Sequence, residues 1–113
     1  MNQMIQKTVD SVLNSGLTLH LMGVGKSEVK LSGYSYISLP KTKWNVLSEE
    51  DEVIALSDWI EWEFGGGKET IHGFYIKDKS KDVIWEEKFN EPVEVLRKGD
   101  KLRIRPKITF GEE

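Results

Sequence analysis

In Thr70–Phe110, TIHGFYIKDKSKDVIWEEKFNEPVEVLRKGDKLRIRPKITF, hydrophobic residues recur at every second position and turn residues break the rhythm at regular intervals. In the first segment Ile71, Gly73, Tyr75 and Lys77 share one side, and Thr70, His72, Phe74 and Ile76 share the other. Asp78–Asp82 then supplies turn chemistry, and Val83–Phe89 is expected to pair back as a hairpin. Asn90-Glu91-Pro92 reads as a pause before a short apolar piece, Val93–Leu96, and the turn Arg97-Lys98-Gly99-Asp100. The remainder reads as one final strand. Its buried face carries Leu102, Ile104, Pro106, Ile108 and Phe110, and its wet face carries Lys101, Arg103, Arg105, Lys107 and Thr109.

Upstream, Met4, Ile5, Val9, Val12 and Leu13 recur at spacings of three and four, which predicts a short amphipathic helix stopped by Asn14-Ser15-Gly16. The period then changes to two. Leu17, Leu19 and Leu21 alternate with Thr18, His20 and Met22 in an opening strand. A flexible loop follows at Gly23–Lys26, with a short strand or edge at Glu28–Leu31 and a second full strand from Tyr34 to Leu39. Lys41–Leu56 lacks a period and reads as a loop around the acidic run Glu49–Glu52, with Val53–Leu56 either the start of the next strand or a short turn. In Asp58–Phe64, Ile60, Trp62 and Phe64 are expected to face the core while Trp59, Glu61 and Glu63 face outward. Gly65-Gly66-Gly67 marks either a mobile loop or a close approach to a neighbouring segment.

Short strands separated by turn signals predict an all-β fold, an antiparallel β-sandwich (immunoglobulin-like or jelly-roll-like) of about seven strands with a short N-terminal α-helix; an open barrel is the alternative. The expected organisation is a helix over residues 1–16 packed on one β-sandwich domain over 17–113. At 113 residues the chain supports one core rather than two. No apolar run approaches the roughly 20 residues of a membrane helix, and no signal peptide is evident, so neither a membrane partner nor export is expected. The absence of cysteine removes disulfides, thiolate chemistry and cysteine-type zinc sites.

Charge is segregated. Glu49, Glu50, Asp51, Glu52, Asp58, Glu61 and Glu63 occur without one Lys or Arg between Ser48 and Phe64, whereas Arg97, Lys98, Lys101, Arg103, Arg105 and Lys107 are joined only by Asp100. One explanation is neighbouring strands of opposite charge in one sheet; the other is complementary patches on successive copies of an assembling protein. The basic stripe has no interleaved aromatic residue for base stacking, so nucleic acid is not an expected partner.

Motif chemistry is sparse. Gly25-Lys26-Ser27 follows a strand, but a phosphate loop needs a glycine where His20 stands. Glu61 and Glu63 lie about 7 Å apart along one strand face beside Trp59, yet nothing marks either as buried. His20 and His72 are the only histidines and read as satisfied or surface residues. No serine sits in a nucleophile elbow. The chain is therefore expected not to be an enzyme, with no catalytic residue, no cofactor and no metal ligand assigned.

The order of pieces resembles a family of small phage virion proteins, tail-fibre-like or capsid-decoration β-sandwich proteins. The resemblance rests on the helix ending at Asn14-Ser15-Gly16, the strand Leu17-Thr18-Leu19-His20-Leu21, the start of a strand at Gly33-Tyr34, and Trp59–Phe64. It continues through Ile71-His72-Gly73-Phe74-Tyr75-Ile76-Lys77-Asp78, Val83-Ile84-Trp85, Glu91-Pro92-Val93-Glu94-Val95, Lys98-Gly99-Asp100-Lys101-Leu102 and Ile108-Thr109-Phe110. It implies a non-enzymatic structural protein of the virion, assembled in the host cytoplasm, that forms a homo-oligomer and contacts other virion proteins. Under that reading the interface residues are Glu61, Glu63, Arg103 and Arg105 as polar contacts and Trp59 as an exposed anchor. The alternative is a carbohydrate-binding module of a receptor-binding fibre, with a glycan stacked on Trp59 or Trp44.

Overall fold

The computed structural model describes residues 3–49 and 52–111, with side chains from residue 8 onward. The side chains of Met4 and Ile5, and Glu50 and Asp51 of the acidic run, lie outside the described residues. Among the described residues, helix α1 (Gln3–Leu13) leads into nine strands: β1 (Leu17–Met22), β2 (Ile37–Leu39), β3 (Trp44–Ser48), β4 (Glu52–Ser57), β5 (Ile60–Glu63), β6 (Glu69–Lys77), β7 (Val83–Val95), β8 (Lys101–Ile104) and β9 (Lys107–Gly111). They form three antiparallel sheets of order β2-β1-β6-β7, β3-β4-β9 and β5-β8. The result is the expected all-β, sandwich-like fold with a short N-terminal helix.

The helix forms where the sequence reading places it, and Gly16, at φ +72°, ends it in the left-handed conformation that costs glycine little. Val9 and Leu13 enter the core, where they join Leu17, Leu19 and Leu21 of β1. That core also takes Val53 and Ala55 from β4, Trp62 from β5, Phe74 and Ile76 from β6, and Leu102, Ile104 and Ile108 from β8 and β9. One hydrophobic cluster thus joins the four-stranded sheet, the helix and both smaller sheets.

The two smaller sheets are halves of one bent ribbon. β4 pairs with β9 and β5 with β8, and between them the Ser57 N–H donates to Pro106 O at 2.9 Å. Leu56 opposes Lys107 but Ile60 opposes Ile104, so three residues, Ser57 to Trp59, face two, Arg105 and Pro106. This is a β-bulge, which bends a strand and re-aims its side chains. Burial follows it: Val53, Ala55 and Ser57 point inward before the bulge, Trp62 and Phe64 after it, so the inward parity changes from odd to even.

Several expectations are corrected. Lys101–Phe110 is two strands in two sheets, because the ribbon bends at Arg105-Pro106 while the buried parity of Leu102, Ile104, Pro106 and Ile108 runs through unbroken. Lys41–Leu56 is not a loop: it contains β3 and most of β4, paired from Trp44↔Ser57 to Ser48↔Val53. β3 is an edge strand exposed on both faces beyond Trp44, so its sequence carries no alternation. β7 passes through Asn90-Glu91-Pro92 as one strand, with a bulge opposite Ile71–Gly73; Pro92 is tolerated because β7 is an edge. The same irregularity puts Ile71 and Phe74, three residues apart, into one core, against strict alternation in β6. The Tyr34–Leu39 segment is strand only from Ile37, and Glu28–Leu31 reduces to a single bridge, Met22↔Glu28.

Of the two readings of Gly65-Gly66-Gly67, close approach is the one found. The Gly65 N–H donates to Ser32 O at 2.7 Å, and a Cβ on Gly33, at φ +84°, would stand 2.8 Å from Glu63 O.

Candidate functional site

The β5–β8 ribbon brings Trp59, Glu61, Glu63, Arg103 and Arg105 onto one outward face. Trp59 emerges from the bulge and is 53% exposed. The Arg103 guanidinium carbon lies 4.6 Å and that of Arg105 5.9 Å from its ring centroid, and Arg105 Nε also donates to Ser57 O at 2.9 Å. Glu61 is opposite Arg103 in the register, and Glu63 reaches Lys101 Nζ at 3.6 Å. The acidic and basic segments of the sequence are thus adjacent strands of one ribbon. Trp44, the other aromatic residue considered for stacking a sugar, is only 7% exposed and its Nε1 donates to Leu39 O at 3.3 Å, which removes it from that role.

A second surface lies on the outer side of the four-stranded sheet and was not foreseen as a unit. His20 points away from the core and is nevertheless only 6% exposed, because Tyr36 and Tyr75 stack on its ring with centroids at 5.1 and 5.0 Å. Its Nδ1 lies 2.8 Å from Glu28 Oε2 and its Nε2 2.8 Å from Thr18 Oγ1. Glu28 also accepts from the Tyr34 hydroxyl, whose oxygen accepts from the Leu21 N–H at 3.1 Å. Burial raises the Glu28 carboxyl, but the hydrogen bonds from Tyr34 and His20, with the charges of His20 and Lys77, outweigh it and hold its pKa below the ordinary carboxylate range. Burial, then the bond to Glu28, pushes the Tyr34 hydroxyl well above its ordinary range. An ionised Glu28 only accepts, so Nδ1 donates to it; in the neutral imidazole Nε2 then accepts from the Thr18 hydroxyl.

Hydroxyl, imidazole and carboxylate in this order are the parts of an activated nucleophile. Acyl transfer also needs donors converging on a developing oxyanion. Thr18 sits inside the β2-β1-β6 ladder, paired with Ser38 on one side and Lys77 on the other, where backbone N–H groups are spent on the sheet. The relay fixes the His20 ring between its two tyrosines.

A depression of about 350 Å³ opens beside the relay, lined by Thr18, His20, Glu28 and Tyr36 from one side and by Lys77, Asp78, Lys79 and Lys81 from the other. His72 is half-buried and lines a separate hollow with Lys26 and Lys88. Gly25-Lys26-Ser27 forms part of a tight 3-10 turn in which Lys26 pairs with Glu86 at 3.0 Å. Among the described residues no three of His, Asp or Glu converge as metal ligands, and no helix is long and apolar enough to cross a membrane. No protein-family model matches the chain, and neither a curated protein nor a solved structure matches it.

Proposed function

We propose that this protein is a non-enzymatic structural component of a phage virion that works by self-association, with the outward face of the β5–β8 ribbon as the contact between copies and other virion proteins as further partners. The virion assignment rests on the resemblance of sequence layout. The observation that supports assembly is Trp59, a large apolar side chain held out of a bulge and backed by two arginines. An aromatic ring already fixed in place loses little conformational freedom on docking, and Trp and Arg dominate interface energetics.

The edges of the ribbon give the contact a direction. Among the described residues β5 and β8 are each other's only sheet neighbours; β8 keeps one unpaired edge, whereas on β5 Ser32-Gly33 closes over the Glu63–Gly65 end and leaves the edge open only at Glu61. Placing the acidic β5 of one copy beside the basic β8 of the next repeats the pairing already made within the chain. Such a head-to-tail contact generates a ring or a filament. Sedimentation of the purified protein at rising concentration in low salt tests this: species heavier than the 13.0 kDa monomer are expected, dissociating as salt rises. A monomer at every concentration and salt overturns it.

A further inference from the structure

The depression beside the His20 relay has three features that converge on one class of ligand. The first is an aromatic platform: Tyr36 is 57% exposed, and its ring is braced by stacking against His20. The second is charge. With the His20 imidazole neutral, Lys77, Lys79 and Lys81 stand against Glu28 and Asp78, which leaves one net positive charge in the lining. Among the described residues no ion pair engages these three lysines; Lys77 lies 5.5 Å over the Tyr75 ring. The third is a built wall. Asp78 Oδ1 accepts from the N–H groups of Ser80 and Asp82 at 2.9 and 3.2 Å, Lys81 N–H donates to Asp78 O at 2.9 Å, and Lys79 N–H donates to Ser15 O at 2.9 Å. This turn holds Lys81 at φ +70°, a conformation disfavoured for a side chain larger than glycine, and such local strain gathers at ligand-binding sites.

We infer that this depression binds an acidic saccharide, with one pyranose ring on Tyr36 and its carboxylate between Lys79 and Lys81. An aromatic face receives the apolar face of a sugar ring. The sugar hydroxyls need acceptors as well as donors, and Glu28 and Asp78 supply carboxylate oxygens alongside the Thr18 hydroxyl. Those same carboxylates oppose a phosphate dianion, whereas a monoanionic uronic acid matches the single surplus positive charge. The volume, about 350 Å³, lies near the lower end of the roughly 300–1,000 Å³ usual for small-ligand sites. The site is separate from the Trp59 face, so it stands whether or not the protein self-associates.

The test is a titration followed by NMR, using methyl glucuronoside, methyl glucoside and inorganic phosphate as probes. The uronoside should bind saturably and roughly tenfold more tightly than the neutral glucoside, the effect of one charge-assisted contact. Tyr36→Ala should abolish binding and Tyr36→Phe retain it. Lys79→Ala and Lys81→Gly should each weaken it roughly threefold, as for exposed ion pairs. Lys81→Gly is the decisive variant for fold, because glycine adopts φ +70° without strain and its unfolding midpoint should not fall. Absence of saturable uronoside binding overturns the proposal. So does equal affinity for the glucoside, displacement by equimolar phosphate, or binding unchanged in Tyr36→Ala.

Discussion

Arg103 lies across the indole of Trp59, its guanidinium carbon 4.6 Å from the ring centroid, with Trp59 reaching this position from the bulge before β5 and Arg103 from β8. The contact is at the surface, so it fixes orientation more than it stabilises the fold. Arg103→Ala should lower the free energy of unfolding by no more than about 1 kcal/mol, the scale of an exposed cation–π pair. Urea unfolding checks this. A loss above about 2 kcal/mol would mean that the pair carries core stability rather than surface geometry.

Tyr34 links the relay to the first strand. Its hydroxyl donates to Glu28 and accepts from the Leu21 N–H, so Tyr34→Phe leaves a half-buried carboxylate one donor short and a backbone N–H without its acceptor. A loss of about 1–3 kcal/mol is expected from the unsatisfied groups, read by chemical unfolding at neutral pH.

Acid should act through Glu28. Its carboxyl is held below its ordinary value in the folded protein, so the stability it contributes is complete above the unfolded-state value and is lost as pH falls through the folded one. The difference in unfolding free energy between the wild type and Glu28→Gln should therefore shrink as pH falls below about 5. Urea titrations at several pH values read the difference directly. A gap that stays level down to pH 3 would show that Glu28 is not held ionised by its neighbours.

Gly73 is required by close approach. A Cβ there would stand 2.1 Å from Glu87 O and 2.8 Å from Lys88 Cα, both backbone atoms of the paired strand. Gly73→Ala should cost about 1–3 kcal/mol through forced backbone movement, whereas Gly111→Ala, with nothing within 4 Å, should be close to neutral. Thermal unfolding of the two variants side by side gives the contrast.

The strands whose two faces meet different surroundings were legible from residue order alone. Leu17, Leu19 and Leu21 are buried against the core, and Trp62 and Phe64 are buried while Trp59, Glu61 and Glu63 are exposed. Alternation reports burial, however, and not which sheet a strand joins. Leu102 to Ile108 keeps one parity across the bend and reads as a single strand, and Val53–Leu56, apolar at every position, hides the change of phase at the bulge. β3 was missed because Asn45–Ser48 is exposed on both faces, which leaves no period to detect.

The two surfaces differed in the same way. The Trp59 face follows from two alternating strands of opposite charge, so its residues could be named from sequence. The His20 relay could not, because Glu28 reaches it from a non-strand segment beyond the Val24–Lys26 turn, and Tyr34 from a loop. Neither spacing repeats, so only the folded chain brings Thr18, His20, Glu28 and Tyr34 together.

Self-association through the ribbon is tested most directly by light scattering on the wild type and Trp59→Ala at one protein concentration, in low salt. An oligomer is expected for the wild type and a mass shifted towards the 13.0 kDa monomer for the variant, with the free energy of unfolding lowered by no more than about 1 kcal/mol. Equal masses for the two proteins would contradict it.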